Sequence, residues 1–333
     1  RSGKPVFVVM NKLDSTRQEE ENLYEAYSLG FDEPFATSAE HNTGFHDLLD
    51  KIAAKLPDEE LDAEDDDIRV AIVGRPNVGK SSLFNALSGE ERSMVSDIAG
   101  TTRDVVDSLV EIGGVNFRFL DTAGLRRKSR INTNLEYYSN VRTYQAIDRC
   151  SVALVLLDAS DLLAEQDKRL IGQVLERGKG LVIVVNKWDL APKRDKIGDE
   201  VTKQLLEELP FASHAPRVFI SANSGRSLQK LPNLIMQVEE NRKRRISTSE
   251  LNRLVKETLA FERMPGDGKG HSLRLYYCTQ ADGAPPAFVF FVNDGKLASG
   301  SFTRHLENCL RSLADFSGVP LKIFYRNKSE KNG

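Results

Sequence analysis

Cysteine is scarce in these 333 residues. Cys150, Cys278 and Cys309 lie far apart and form no pair with metal-ligand spacing. That excludes a disulfide framework and leaves free thiols in a reducing compartment as the expectation. Long apolar runs are also missing. The longest, Val152–Leu157 and Leu181–Val185, are far too short to span a bilayer. They read instead as strands buried on both faces of a parallel sheet. No apolar segment after Arg1-Ser2-Gly3-Lys4-Pro5 is long enough for a secretory signal. The expectation is therefore a cytoplasmic protein with no membrane contact. The five histidines form no spaced set, so surface or core roles are the default.

What is present is ordinary in amount and uneven in placement. Hydrophobic residues make up 40% and charged residues 29%, enough for ordinary cores and unlike a disordered chain. From Asn241 onward there are 16 Lys and Arg against 9 Asp and Glu, a surplus of +7 in a chain of net charge −3. An acidic body with a basic C-terminal module follows, and a basic module can approach phosphate backbones. Residues Asp58–Asp67 are nearly all acidic. Such a run repels itself and stays solvated, as a linker does.

An internal repeat flanks that linker. Pro5-Val6-Phe7-Val8-Val9-Met10-Asn11-Lys12-Leu13-Asp14 matches Gly180-Leu181-Val182-Ile183-Val184-Val185-Asn186-Lys187-Trp188-Asp189. Further on, Phe35-Ala36-Thr37-Ser38-Ala39-Glu40 matches Val218-Phe219-Ile220-Ser221-Ala222-Asn223. Each copy delivers Asn-Lys-x-Asp from an apolar strand and Ser-Ala from a later one. Only ten residues precede Asn11. Residues 1–57 are therefore expected to be the tail of a nucleotide-binding domain whose front is absent here.

Gly74-Arg75-Pro76-Asn77-Val78-Gly79-Lys80-Ser81 fits G-x-x-x-x-G-K-[ST], between an apolar strand and a helical pattern starting at Ser82. Glycines Gly74 and Gly79 let the backbone curl around phosphates, and N–H groups of Asn77, Val78 and the helix start point at the anion. Lys80 is expected to reach the β- and γ-phosphates, and the Ser81 hydroxyl to sit on Mg²⁺. Asp121-Thr122-Ala123-Gly124 follows the strand Phe117–Leu120. It offers Asp121 to the Mg²⁺ shell and the Gly124 N–H to the γ-phosphate. Between the two motifs, Gly100-Thr101-Thr102-Arg103-Asp104 stands where a first switch belongs. Thr102, with Thr101 as runner-up, is expected to join Mg²⁺ and sense the γ-phosphate.

Asn186-Lys187-Trp188-Asp189 predicts the base. The Asp189 carboxylate only accepts hydrogen bonds, and guanine offers it a ring N–H and an amino group. Adenine offers neither in that arrangement. Asn186 is expected to tie loops together, and the Lys187 stem to lie against the base. The Ala222 N–H, within Ser221-Ala222-Asn223, is expected to donate to the guanine carbonyl.

With these residues in view, the chain resembles translation-factor-type GTPases and, more closely, the EngA/Der family of bacterial tandem GTPases. The carrying residues are Gly74–Leu83, Gly100–Asp104, Asp121–Lys128 and the doubled Asn-Lys-x-Asp. The resemblance implies an α/β fold. A complete P-loop G domain of the Ras type at 68–240 follows the C-terminal part of a first G domain at 1–57 and the linker at 58–67. A small α+β KH-like domain at 241–333 completes the chain. It also implies GTP and GDP as ligands, with Mg²⁺, and a bacterial, cytoplasmic, monomeric protein that contacts the large ribosomal subunit and its rRNA. The corresponding ligands in the first copy would be Asn11, Lys12 and Asp14. Where many GTPases place a water-orienting Gln, this chain has Leu125, which cannot hydrogen-bond water. The resemblance suggests K⁺ held partly by Asn77; the alternative is Asn77 as a left-handed turn residue. A rival reading is a nucleotide-gated rRNA-binding scaffold with negligible hydrolysis.

In the C-terminal module, helices are predicted over Ser247–Glu262 and Ser301–Ala314, and strands over Ser272–Thr279, Ala287–Val292 and Leu321–Tyr325. Its aromatic residues Tyr276, Tyr277, Phe288 and Phe290 could stack bases, but the alternation of Phe288 and Phe290 favours core packing. The module has no Gly-x-x-Gly loop, the usual backbone clamp of a KH domain.

Overall fold

The computed structural model describes residues 6–11, 34–38, 44–55, 67–89, 95–99, 106–122, 135–192, 196–261, 264–266 and 270–327. The chain divides into two units, residues 1–65 and 66–333. In the first, strands β1 (Val9–Met10) and β2 (Phe35–Ala36) pair in parallel, and helix α1 spans Phe45–Lys55. Asn11 directly follows β1. Thr37 and Ser38, just past β2, are buried, and the Thr37 hydroxyl donates to the Met10 carbonyl at 3.1 Å. Lys12 and Asp14 lie outside the described residues.

The second unit begins with a seven-stranded sheet. In sequence order its strands are β3 (Ile68–Gly74), β4 (Val95–Ala99), β5 (Val106–Ile112), β6 (Val115–Phe119), β7 (Val152–Asp158), β8 (Gly180–Asn186) and β9 (Arg217–Phe219). In space they run β4-β5-β6-β3-β7-β8-β9. Only β5 runs against the others, through the antiparallel pairs β4–β5 and β5–β6. Helices α2 (Lys80–Ser88), α3 (Leu135–Arg149), α4 (Glu165–Glu176) and α5 (Ile197–Glu208) connect the strands, and α6 (Leu231–Lys243) follows the last of them. The runs VALVLL in β7 and GLVIVVN in β8 are buried throughout. Alternate residues feed two cores, Leu154, Leu156, Val182 and Val184 on one face, Val155, Leu157, Ile183 and Val185 on the other. That is the two-sided burial expected of β7 and β8. The chain leaves β3 toward β4–β6 but leaves β7 toward β8. A crevice therefore opens at the carboxyl end of β3, where such sheets bind ligands.

The C-terminal module packs helices α7 (Thr248–Phe261) and α8 (Gly300–Leu313) on one face of a sheet of β10 (Leu275–Ala281), β11 (Ala287–Val292) and β12 (Lys322–Asn327). The strands lie in the order β10-β11-β12. Each element falls within a few residues of its predicted position. Phe288 and Phe290 are fully buried under the helices, as their alternation implied.

One turn seats this module on the larger sheet. The Leu181 N–H, in β8, donates to the Gly318 carbonyl at 2.7 Å, and the Gly318 N–H donates to the His214 carbonyl at 2.9 Å. Val319 enters the core beneath β7 and β8, while Gln237 and Asn241 of α6 hold Asp315 and the Ser317 carbonyl. Gly318 has φ 77°, and a Cβ there would stand 2.5 Å from Val238 Cγ2. Only glycine fits so close an approach in that conformation.

Candidate guanine-nucleotide site

The phosphate loop occupies the predicted crevice, between β3 and α2. Gly79 precedes α2 with φ 100°, and a Cβ there would sit 2.2 Å from Asn186 Nδ2. That contact is the centre of the site. Asn186, at the end of β8, is buried. Its Nδ2 donates to the Val78 carbonyl at 2.8 Å, and its Oδ1 accepts the Ala222 N–H at 3.0 Å. One side chain thus fastens the phosphate loop, the end of β8 and the Ser221–Asn223 turn together. The Ala222 N–H, expected to serve a guanine carbonyl, here donates to Asn186 Oδ1.

Lys80 opens α2, and its ammonium donates to the Gly74 and Arg75 carbonyls, both at 2.8 Å. Burial pushes its pKa down to about 8. A cation held by neutral carbonyls and destabilised by burial is suited to meeting an anion. Ser81 and Ser82 are exposed on the first helical turn, where backbone N–H groups and the helix dipole favour phosphate. Asn77 is exposed with φ 64°, the left-handed geometry a turn asparagine tolerates.

A cavity of about 100 Å³ brings the remaining predicted residues together. Asn77, Gly79 and Ser82 line it from the phosphate loop and α2, Asn186, Lys187 and Asp189 from the end of β8, and Ser221, Ala222 and Asn223 from the turn after β9. Lys187 has φ 59°, and its ammonium meets Asp158 at 2.6 Å. That anchor stretches the lysine stem from the cavity to the end of β7. Burial would raise the Asp158 carboxyl, but hydrogen bonds from Lys187 and Ser160 outweigh it and hold it below the usual carboxylate range. Asp189 is exposed at the cavity mouth.

Asp121 sits just past β6 in left-handed backbone, φ 52°. Burial raises its carboxyl pKa, and the charge of Asp107 adds to the rise against Arg142 and Arg149. The Asp121 N–H donates to Asp107 Oδ1 at 3.1 Å, and Asp107 in turn pairs with Arg149. A half-buried carboxylate and the Ser81 hydroxyl are the hard oxygen donors that suit Mg²⁺. No cluster of three or more His, Cys, Asp or Glu fit for a metal exists among the described residues. Thr102, Thr101, Gly124 and Leu125 lie outside the described residues.

Four carboxylates at the site carried no signal in the sequence: Asp107, Asp158, Asp161 and Asp167. The last two grip Arg75 of the phosphate loop, at 2.6 Å from Asp161 and 2.9 Å from Asp167. Asp167 is fully buried and also accepts the Ala164 N–H at the start of α4. Its sequence position reads only as a helix-start acid.

Known proteins match this chain along its length. A family model described as 50S ribosome-binding GTPase matches residues 69–187. One for the elongation factor Tu GTP-binding domain matches 134–241, and one for the C-terminal KH-domain-like part of EngA bacterial GTPases matches 245–326. GTPase Der of Desulfitobacterium hafniense is 47% identical, across 99% of this chain and 75% of its own length. GTPase Der of Lachnoclostridium phytofermentans is 46% identical, across 100% of this chain and 75% of its own.

The chain belongs to the GTPase Der family.

Among solved structures, a variant of Aquifex aeolicus Era is 22% identical, covering 78% of this chain and 93% of its own, with a TM-score of 0.40. As a Der-family member with a P-loop G domain, this chain binds guanine nucleotide and hydrolyses GTP. No helix among its described residues is long and apolar enough to cross a membrane.

Proposed function

We propose that this Der-family chain is a GTP-driven switch in assembly of the large (50S) ribosomal subunit, a cytoplasmic bacterial monomer that contacts rRNA. One observation carries the reading. Strand β8 holds the nucleotide-site clamp Asn186 at its carboxyl end and the C-terminal module, through Leu181 and Gly318, near its start. Leu181 and Asn186 are five residue steps apart along the strand, about 17 Å. The basic module is therefore fixed to the strand that reads the base. The switch would lie in the segments around Thr102 and Gly124, ordered by GTP and released on hydrolysis.

The domain scheme belongs to the same proposal. Residues 1–57 are the C-terminal part of a first G domain, 58–67 a linker, 68–240 the complete G domain and 241–333 the KH-like domain. The parallel pair β1–β2, followed by buried Thr37 and Ser38, supports it by repeating β8–β9 followed by buried Ser221. Asn11, Lys12 and Asp14 are the counterparts of Asn186, Lys187 and Asp189.

In hydrolysis, water attacks the γ-phosphorus and the bond to the β-phosphate oxygen breaks, so the protein's work is positioning and charge stabilisation. Lys80 holds the β- and γ-phosphates, with loop and helix N–H groups around them. Ser81, Asp121 and Thr102 would hold Mg²⁺, which supplies charge neutralisation between those phosphates. Asn77 would help hold K⁺, a further positive charge where Leu125 offers no polar group. Turnover in K⁺ should exceed turnover in Na⁺ by about tenfold or more, and Asn77→Ala should erase the difference. Equal rates in the two salts with Asn77 intact would remove K⁺ from the account.

The ribosomal reading is tested by co-sedimentation with purified large subunits. Binding with a non-hydrolysable GTP analogue and release with GDP are expected; equal pelleting in both states would refute the switch. Family membership disfavours the rival scaffold with negligible hydrolysis.

A further inference from the structure

The sheet of the C-terminal module has two unlike faces. One packs under α7 and α8 through Cys278, Phe288, Phe290 and Val292, all fully buried. The other carries Tyr277, Phe291 and Arg326, which are register partners across β10, β11 and β12. The Tyr277 and Phe291 rings stack at 4.1 Å between centroids and 10° between planes. The Arg326 guanidinium lies 5.9 Å from the Phe291 ring centroid. Tyr277 is 39% exposed and Phe324, on the same face of β12, is 51% exposed. A register shift between Leu275 and Tyr277 turns Tyr276 outward as well.

Exposed aromatics gathered on one face mark an interaction site. The partner's chemistry follows from the rest of the face. The three strands contain no Asp or Glu, while Lys322 and Arg326 are exposed. Tyr277 and Phe291 form a stacked pair with the Arg326 cation beside Phe291, and another planar group can extend the stack from Tyr277. Sequence-tolerant readers of single-stranded nucleic acid combine these two features, aromatic rings under successive bases and cations along the backbone. An apolar protein partner would not call for the cations. Without a Gly-x-x-Gly loop, the module lacks the usual KH means of gripping a strand.

We propose that this open sheet face binds single-stranded RNA, with an unpaired base stacked on Tyr277 and the phosphates beside Arg326 and Lys322. The proposal rests on the ribosomal reading for its partner class and adds the surface and the mode of contact. Duplex RNA keeps its bases stacked internally and cannot extend the stack.

The test measures fluorescence anisotropy of a labelled 12-nucleotide single strand and of a duplex of equal length, with the whole chain. The single strand should bind more tightly than the duplex. Tyr277→Ala and the pair Tyr277→Ala with Phe291→Ala should each weaken it by about tenfold or more, whereas Tyr277→Phe should bind like the parent. Arg326→Ala should weaken binding and flatten its salt dependence. GTP hydrolysis should not change in any variant. If Phe291→Ala unfolds the module, the exposed positions Tyr277 and Arg326 still decide the matter. Binding of Tyr277→Ala within twofold of the parent would overturn the proposal, as would equal affinity for duplex. So would sedimentation velocity showing a dimer that Tyr277→Ala dissociates, because the face would then meet a second copy. Failure with the oligonucleotide but GTP-dependent pelleting with large subunits would sink this surface and leave the ribosomal reading intact. Pelleting failure with oligonucleotide binding through Tyr277 would do the reverse.

Discussion

Asp189→Asn is expected to reverse base preference, losing GTP and gaining xanthosine triphosphate. The wild-type carboxylate stands exposed at the mouth of the cavity that Asn186, Lys187 and Ala222 line. It would accept the guanine ring N–H and the exocyclic amino group together. Hydrogen bonds to a charged acceptor are worth about 1.5–3 kcal/mol each. Exchanging that pair for one neutral hydrogen bond and one donor facing a donor should weaken GTP by about 10²-fold or more. An asparagine amide can still accept the ring N–H, but its NH₂ faces the guanine amino group as donor against donor. Xanthine has a carbonyl there, which that NH₂ satisfies. The exposed position carries no packing, so the fold should be unaffected. Competition binding of the two triphosphates checks the reversal; undiminished GTP binding by Asp189→Asn would remove this residue from base recognition.

Lys80→Ala is expected to slow hydrolysis by about a hundredfold to a thousandfold, the usual cost of deleting one preorganised stabilising group. The lysine also predicts a pH dependence. Its pKa in the nucleotide-free protein is held near 8 by burial, and phosphate charge placed beside it raises that value. Binding therefore takes up a proton when pH exceeds about 8. Affinity for GTP should be flat from pH 7 to about 8 and then decline, by at most about tenfold per pH unit. The sign follows from the cation: protonated lysine binds phosphate, and rising pH removes the proton. Lys80→Ala should bind weakly with a flat profile over the same range. A wild-type affinity that rises between pH 8 and 9 would contradict this placement of the charge.

Much of the site was legible because its residues sit at fixed local spacings. The Gly74–Ser81 loop and the Asn-Lys-x-Asp at the end of β8 each lie within one strand-to-loop transition, so sequence order sets their geometry. The supports were not legible. Asp161 and Asp167 reach Arg75 across 86 and 92 residues, and Asp158 reaches Lys187 across 29. Each is a single carboxylate on a strand end, a loop or a helix start, indistinguishable in sequence from a solvated acid. The motif says where the Ala222 N–H sits but not that Asn186 Oδ1 accepts it. In the C-terminal module, alternation correctly buried Phe288 and Phe290. It could not foresee the irregularity at Leu275–Tyr277, which turns two successive tyrosines to the same open face. Gly318 gave no warning either, since its need for glycine arises from contact with Val238 and Leu181, far away in the chain.

The central claim is that residues 74–223 hold a working, guanine-specific hydrolytic site. Single-turnover hydrolysis, with protein in excess over radiolabelled nucleotide, tests it most directly. The account predicts that the intact chain cleaves GTP and leaves ATP untouched, and that Lys80→Ala cleaves neither at a comparable rate. Equal cleavage of ATP, or cleavage of GTP by Lys80→Ala as fast as by the parent, would contradict it.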